Sequence, residues 1–194
     1  VTSGGPGAAR LSLADKVLLL EEGCTGRGIP HAFGGAIALA YYATPRATID
    51  IDLNVFVPTE RADDVLGLLA DLGAEPPAEA ERARLVRDGQ ARVRWQGTPV
   101  DLFFAYDALH ASCLERRRTL PFGDGETIHV LAAEDLAIFK ALFDRDKDWR
   151  DLEELVFALG PELDAAYARN WMERIVGPSD PRYEKLDALL ARFH

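Results

Sequence analysis

The feature that most limits what this chain can fold into is the stretch from Ile49 to Val57. Ile49, Ile51, Leu53, Val55 and Val57 are apolar and alternate with Asp50, Asp52 and Asn54, the period-two pattern of a strand with one buried face. Both aspartates therefore share the other face. Side chains at i and i+2 on a strand root roughly 6 to 7 Å apart, so two carboxylates there can converge on one divalent cation or a close pair. With nothing basic between them, they are unfavourable neighbours unless a cation neutralises them or the face is fully solvated. A hard, oxygen-seeking ion such as magnesium suits them best. Asp50-x-Asp52-x-Asn54 also opens like a calcium-binding loop, but Val55 stands at the turn glycine and Arg61 at the bidentate glutamate, so that reading fails.

Upstream, Ile29 to Phe33 is a short apolar run with strand character, Gly34-Gly35 follows, and Ala36 to Ala43 reads as helix. A diglycine between strand and helix lets the backbone approach a ligand closely, and a helix start offers unpaired N–H groups to an anion such as phosphate. The pair lacks the further glycines of a dinucleotide fingerprint, and no Gly-x4-Gly-Lys-Ser/Thr loop occurs.

Gly34-Gly35-Ala36, Arg46, Thr48 and Asp50-Ile51-Asp52-Leu53 together resemble the signature of the DNA polymerase beta-like nucleotidyltransferase superfamily. Within it they look most like the AbiEii-like nucleotidyltransferases of bacterial toxin–antitoxin pairs. The resemblance implies an α/β (α+β) nucleotidyltransferase fold, a small mixed sheet flanked by helices with a helical C-terminal part. It also implies that Gly34 and Gly35 hold nucleotide phosphates and that Asp50 and Asp52 bind metal. Arg46 and Thr48 would support the triphosphate or the geometry of the acidic strand. Where the superfamily commonly has Gly-Ser at the loop, this chain has Gly34-Gly35-Ala36.

Three further positions match. Asp101, in Val100-Asp101-Leu102, fits the family's third carboxylate on a neighbouring strand, a metal ligand with the role of general base also open to it. Its ordinary alternative is an aspartate paired with one of the nearby arginines. Lys140, in Glu134-Asp135-Leu136-x-x-x-Lys140, fits the family's triphosphate-binding lysine; it lies on the stripe that Leu136 and Phe143 would bury, and an ion pair with Asp144 is the plainer account. Arg145-x-Lys147-Asp148-x-x-Asp151-Leu152 fits the conserved active-site run, with Asp148 as nucleotide-binding residue, orienting Lys140 or the base, or simply capping a helix.

The rest of the chain frames these motifs. Ser12 and Asp15 form a capping-box pattern before a helix from Leu13 to Glu22, after a disordered tail over 1–10. Pro58-Thr59 leads into an amphipathic helix with Val65, Leu68, Leu69 and Leu72 on one side, and 74–81 reads as a loop. Asp88-Gly89 signals a hairpin within Leu85 to Arg94, placing Arg92 and Arg94 opposite Trp95. With Arg82, Arg84 and Arg87 these make either a solvated face or a phosphate patch. Gln96-Gly97 turns into a strand from Thr98 to Phe104. A short helix from Ala108 to Leu114, the Arg116-Arg117-Arg118 run, a Gly123-Asp124-Gly125 turn and a strand from Thr127 to Leu131 follow. From Ala133 onward the pattern is helical, broken at Gly160-Pro161, with helices expected from Pro161 to Ile175 and through Phe193. The expected organisation is a core over 11–131 and a helical region over 132–194.

A net charge of −10 disfavours broad contact with a nucleic-acid backbone. Two cysteines are too few for a disulfide framework, the four histidines show no zinc spacing, and no run reaches membrane-span length, so a cytoplasmic location is expected. The implied reaction is attack by a hydroxyl of an RNA 3′ end, a protein or a small molecule on the α-phosphorus of a nucleoside triphosphate, with two magnesium ions and release of pyrophosphate. A toxin role with an antitoxin partner accompanies the resemblance. The rivals are a non-catalytic protein-binding module on the same fold and a metal-dependent phosphodiesterase.

Overall fold

A computed structural model describes residues 10–123 and 125–192. Most of the expected tail, Asp124 of the expected turn and the end of the last helix at Phe193 lie outside the described residues.

The alternating stretch forms β2 (Ile51–Val55), which pairs antiparallel with β1 (His31–Phe33) and parallel with β4 (Thr98–Phe104). β3 (Gln90–Trp95) extends the sheet antiparallel beyond β4. On the other side β6 (Thr127–Val130) runs parallel to β1, with β5 (Arg118–Pro121) antiparallel at the edge. The order is β3-β4-β2-β1-β6-β5, a mixed six-stranded sheet among the described residues. Ile51, Leu53 and Val55 are fully buried. Asn54, on the other face, is also buried, so the polar face is covered rather than solvated. Ile49 falls outside the strand and is 79% exposed; alternation in the sequence ran two residues further than the backbone pairing that gives it meaning.

Helices α1 (Leu13–Gly26), α2 (Gly35–Leu39), α3 (Ala62–Asp71), α4 (Glu79–Asp88) and α5 (Ala108–Arg116) surround the sheet. The expected capping box starts α1: the Ser12 hydroxyl accepts from the Asp15 N–H at 3.1 Å, and Asp15 accepts from the Ser12 N–H at 2.9 Å. α1 then runs past its expected end at Glu22. Gly23 stays helical because α3 packs there so closely that a Cβ would sit 2.5 Å from Leu68 Cδ1. Buried Lys16 ties the helix to the far hairpin, donating to the Trp95 carbonyl at 2.9 Å and Thr98 Oγ1 at 2.7 Å.

The C-terminal part is helical, as expected: α6 (Ala133–Phe143), α7 (Asp146–Leu159), α8 (Ala165–Val176) and α9 (Pro181–Leu190) pack on one another, and α6 also meets α2. α8 starts behind Asp164, whose carboxylate caps the Tyr167 N–H, and not at Pro161, which lies in a single 3-10 turn. One buried cluster runs from Val17 to Leu190, joining sheet and helices.

The hairpin expected about Asp88-Gly89 is absent. Residues 79–88 are helical, and Gly89 at φ +66° ends α4, its N–H bonded to the Leu85 carbonyl. The same dipeptide signals a turn or a helix stop. The true hairpin joins β3 to β4 through Gln96 (φ +48°) and Gly97 (φ +82°), the two left-handed residues of a type I′ turn. Arg92 and Arg94 do lie opposite Trp95, exposed where Ala91, Val93 and Trp95 are buried. β5 went unread because its residues are mostly exposed and include Pro121, so it carries no alternation. A left-handed Gly89 is required where α4 turns into β3, so Gly89→Ala is expected to lower stability by about 1 to 2 kcal/mol, with Gly89→Asn milder, in urea denaturation.

Candidate active site

The site is built on the central strands. β2 and β4 are parallel with Asp52 in register with Asp101, so both carboxylates leave the same face of the sheet, and Asp50 stands just before β2. The diglycine closes on them from β1. Gly34 donates its N–H to the Asp52 carbonyl at 2.9 Å. Gly35 adopts φ +53°, and a Cβ on it would lie 1.7 Å from Asp52 Oδ2. Only glycine allows both the left-handed turn and that approach. The helix that follows is five residues long, not the eight expected from Ala36 to Ala43; the chain leaves it in turns at Tyr41 and Tyr42, whose hydroxyls bond the Pro121 and Leu131 carbonyls at 2.7 and 2.8 Å. A dipole from so short a helix contributes little, and the glycine backbone itself is what the loop offers a ligand.

The three acids differ electrostatically. Burial, together with the neighbouring charges of Asp50 and Asp101, pushes the Asp52 carboxyl up to about 6. Its relief comes from Lys140, whose ammonium is bonded to Asp151 instead, and from Lys147. Burial works against ionised Asp50 too, but a short hydrogen bond from the Thr48 hydroxyl and the Lys147 charge hold it below the usual carboxylate range. Thr48 is thus bonded to the residue just before the acidic strand. Asp101 is gripped by Arg92 from β3, Nε and Nη2 each 2.6 Å from a carboxylate oxygen. The pairing raised as its ordinary alternative is therefore present, and it coexists with the register that places Asp101 beside Asp52.

Facing the acids, α6 and α7 carry a chain of alternating charges. Asp151 accepts two bonds from Arg46 at 2.9 Å each and one from Lys140 Nζ at 2.5 Å. Lys140 lies 3.8 Å from Asp148, which Arg145 holds at 2.5 Å. Lys140 is 3% exposed. Burial would raise Asp151, but the bonds from Arg46 and Lys140 bring it below the usual range. Asp144, offered as a plainer partner for Lys140, instead ends α6 at φ +55° and accepts from Trp149 Nε1 at 2.6 Å. The near partner of Lys140 is Asp151, one helical turn beyond the expected Asp148. Both acids sit on the buried side of α7, and only their distances separate them.

Gly35, Asp50, Asp52, Lys140, Arg145 and Lys147 line one cleft, which Phe103, Phe139 and Phe143 also border. The oxygen-only donors Asp50 and Asp52, with burial and like charges only partly offset at the second, fit a hard divalent cation; Asp101 fits once Arg92 shares it. In the sequence Arg145 and Lys147 stand out only as part of a run, and Arg92 only as part of a patch. The long-range pairing that brings them to the acids has no local signature.

No protein-family model and no curated protein matches the sequence. Solved structures do. The solution structure of the antibiotic-resistance factor ANT(2″)-Ia superposes with a TM-score of 0.57 at 16% identity over 93% of this chain and 90% of that one. Its crystal structure with adenylyl-2″-tobramycin gives 0.56 at 14% identity over 93% and 98%. An H. pylori protein described as a nucleotidyltransferase gives 0.52 at 13% identity over 95% and 96%. The chain has the nucleotidyltransferase fold.

The raised Asp52 sets a sign for pH. Folded Asp52 keeps its proton up to about pH 6, whereas an unfolded aspartate releases it near 4. Its ionisation therefore destabilises the fold as pH rises from about 4 through 6. In chelator, Asp52→Asn is expected to raise the melting temperature over wild type by a few degrees at pH 8 and by clearly less at pH 4.5. Thermal scans at the two pH values that show an equal gap would contradict the assignment.

Proposed function

We propose that the chain is a metal-dependent nucleotidyltransferase that moves a nucleoside monophosphate from a nucleoside triphosphate to a hydroxyl acceptor. The carrying observation is the opposition of two walls: Asp50 and Asp52 on the sheet side, with Asp101 in register beside Asp52, against Lys140 of α6 and Arg145 and Lys147 at the start of α7. A metal–triphosphate has that charge layout, cationic at one side and anionic at the other.

Asp50 and Asp52, joined by Asp101, would hold two magnesium ions. When bound, such ions neutralise charge on the transferring phosphoryl group and ease deprotonation of the attacking hydroxyl. The Gly34 and Gly35 backbone meets the phosphates at close range, because no side chain intervenes. Lys140 reaches them on a stem whose head is already oriented by Asp151, with Asp148 nearby and Arg46 completing the set, so little conformational freedom is lost on binding. Arg92 keeps Asp101 aimed while the cleft lacks its substrate. Asp101 would take the hydroxyl proton, the role that the resemblance leaves open to it. Phe103, Phe139 and Phe143 give the base an apolar surface and exclude water from the reacting atoms.

Among the three acceptor classes we favour a small molecule. The net charge of −10 opposes a polyanionic acceptor, and full-length likeness extends to an antibiotic-resistance protein whose complex holds an adenylylated antibiotic. The AbiEii-like type, with a toxin role and an antitoxin partner, rests on the motifs alone.

Calorimetric titration with each nucleoside triphosphate is expected to show binding that needs magnesium and falls at least about 100-fold in Asp50→Asn and Asp52→Asn, the loss of an interaction worth about 3 kcal/mol. Label from the triphosphate should then appear in the small-molecule fraction of a lysate. Binding without label transfer would favour the protein-binding module, and hydrolysis without transfer the phosphodiesterase. Label in RNA or protein would move the acceptor.

A further inference from the structure

Away from the cleft, three side chains from three elements meet. Glu21 of α1 lies with Oε2 2.9 Å from His31 Nε2 and Oε1 2.6 Å from His129 Nδ1. All three donor atoms lie within 4.8 Å of one another. The two histidines are far apart in sequence. They meet because β1 and β6 are parallel neighbours, which is why no ligand spacing was legible.

The protons are informative. His31 Nδ1 is 3.0 Å from the Ile29 carbonyl, which can only accept, so Nδ1 carries hydrogen. A neutral His31 would then aim the Nε2 lone pair straight at the Glu21 carboxylate, in a place only 1% exposed. Glu21 Oε2 also accepts from the His129 backbone N–H at 2.9 Å, which fixes the carboxylate between the two rings. A ring N–H on a backbone carbonyl is also the arrangement that orients a metal-bound histidine.

We propose that Glu21, His31 and His129 form a second, zinc-class site, separate from the acids of the cleft. Two imidazole nitrogens and one carboxylate make a donor set suited to zinc. Tetrahedral zinc spaces its ligand atoms by about 3.3 Å, and the three donor atoms here lie within 4.8 Å of one another, so the set needs to draw together by no more than about 1.5 Å. His129, with a side chain 23% exposed, has room to move. Glu21 also borders a surface hollow with Glu22 and Glu126, whose charge favours the approach of a cation. Arg117 lies near, but its guanidinium donates to the His31 carbonyl at 3.1 Å. Ligation through His31 Nε2 and His129 Nδ1 leaves the ring hydrogens on His31 Nδ1 and His129 Nε2, and any proton on a ligating nitrogen leaves to solvent as the ion binds. Held there, zinc clamps α1 to β1 and β6.

The test uses the full chain carrying Asp50→Asn and Asp52→Asn, which removes the cleft as a zinc site and makes the result independent of the proposed activity. After chelation and dialysis against zinc, elemental analysis is expected to find one equivalent per chain. Cobalt in its place should give the strong visible absorption of a four-coordinate site. His129→Gln in the same background, with folding checked by circular dichroism, should abolish both, and Glu21→Gln should do the same. The proposal is overturned if the parent binds no zinc at micromolar concentration, or if zinc persists in His129→Gln.

Discussion

The contact on which this architecture depends is the approach of the Gly35 backbone to the Asp52 carboxylate. A side chain at residue 35 would occupy the position of Oδ2, so the diglycine is what permits β1 to run beside β2 with an acid pointing between them. The Gly34 N–H then locks the loop to the Asp52 carbonyl. Everything that lines the cleft is referred to that point: β4 brings Asp101 alongside, and α6 and α7 close over the remaining side.

Placing three carboxylates together creates a charge problem, and the fold answers it unevenly. Asp50 and Asp101 have bonded partners in Thr48 and Arg92, while Asp52, the most enclosed, has its nearest cation committed elsewhere. A structure optimised for stability alone would place an apolar residue at 52 or bond it to Lys140. The arrangement retained leaves an unneutralised acid at the bottom of a cleft, a pattern that recurs where an ion is to be bound.

What the sequence disclosed was local. Alternation over Ile51 to Val55, the capping box at Ser12, the Gln96-Gly97 turn and the helix carrying Lys140 each depend on residues within a turn or two of one another. The resemblance of the motifs pointed to the fold that the solved neighbours share. What stayed hidden depends on pairing between distant segments. Asp88-Gly89 is a hairpin signal only if its flanks are strands, and the helical spacing of residues 79–88 had to be weighed against it. Asp148 and Asp151 are equivalent by spacing. The choice of Asp151 by Lys140 follows from Arg46, which reaches α7 from the loop before β2. Four scattered histidines gave no sign that a parallel strand pair would bring two of them to one glutamate.

The loop from Ala40 to Asp50 connects the diglycine helix to the acidic strand, and its two polar anchors point opposite ways: Thr48 back to Asp50, Arg46 across to Asp151. Asp151 in turn holds Lys140. The loop therefore couples the position of the acids to that of the lysine that faces them, through one carboxylate and three charge-assisted bonds. An anion reaching Lys140 competes with Asp151 for its ammonium, and Arg46 is the group left to balance Asp151 when it does. The two walls of the cleft are thus set by a single network, with the spacing between them fixed before any ligand arrives.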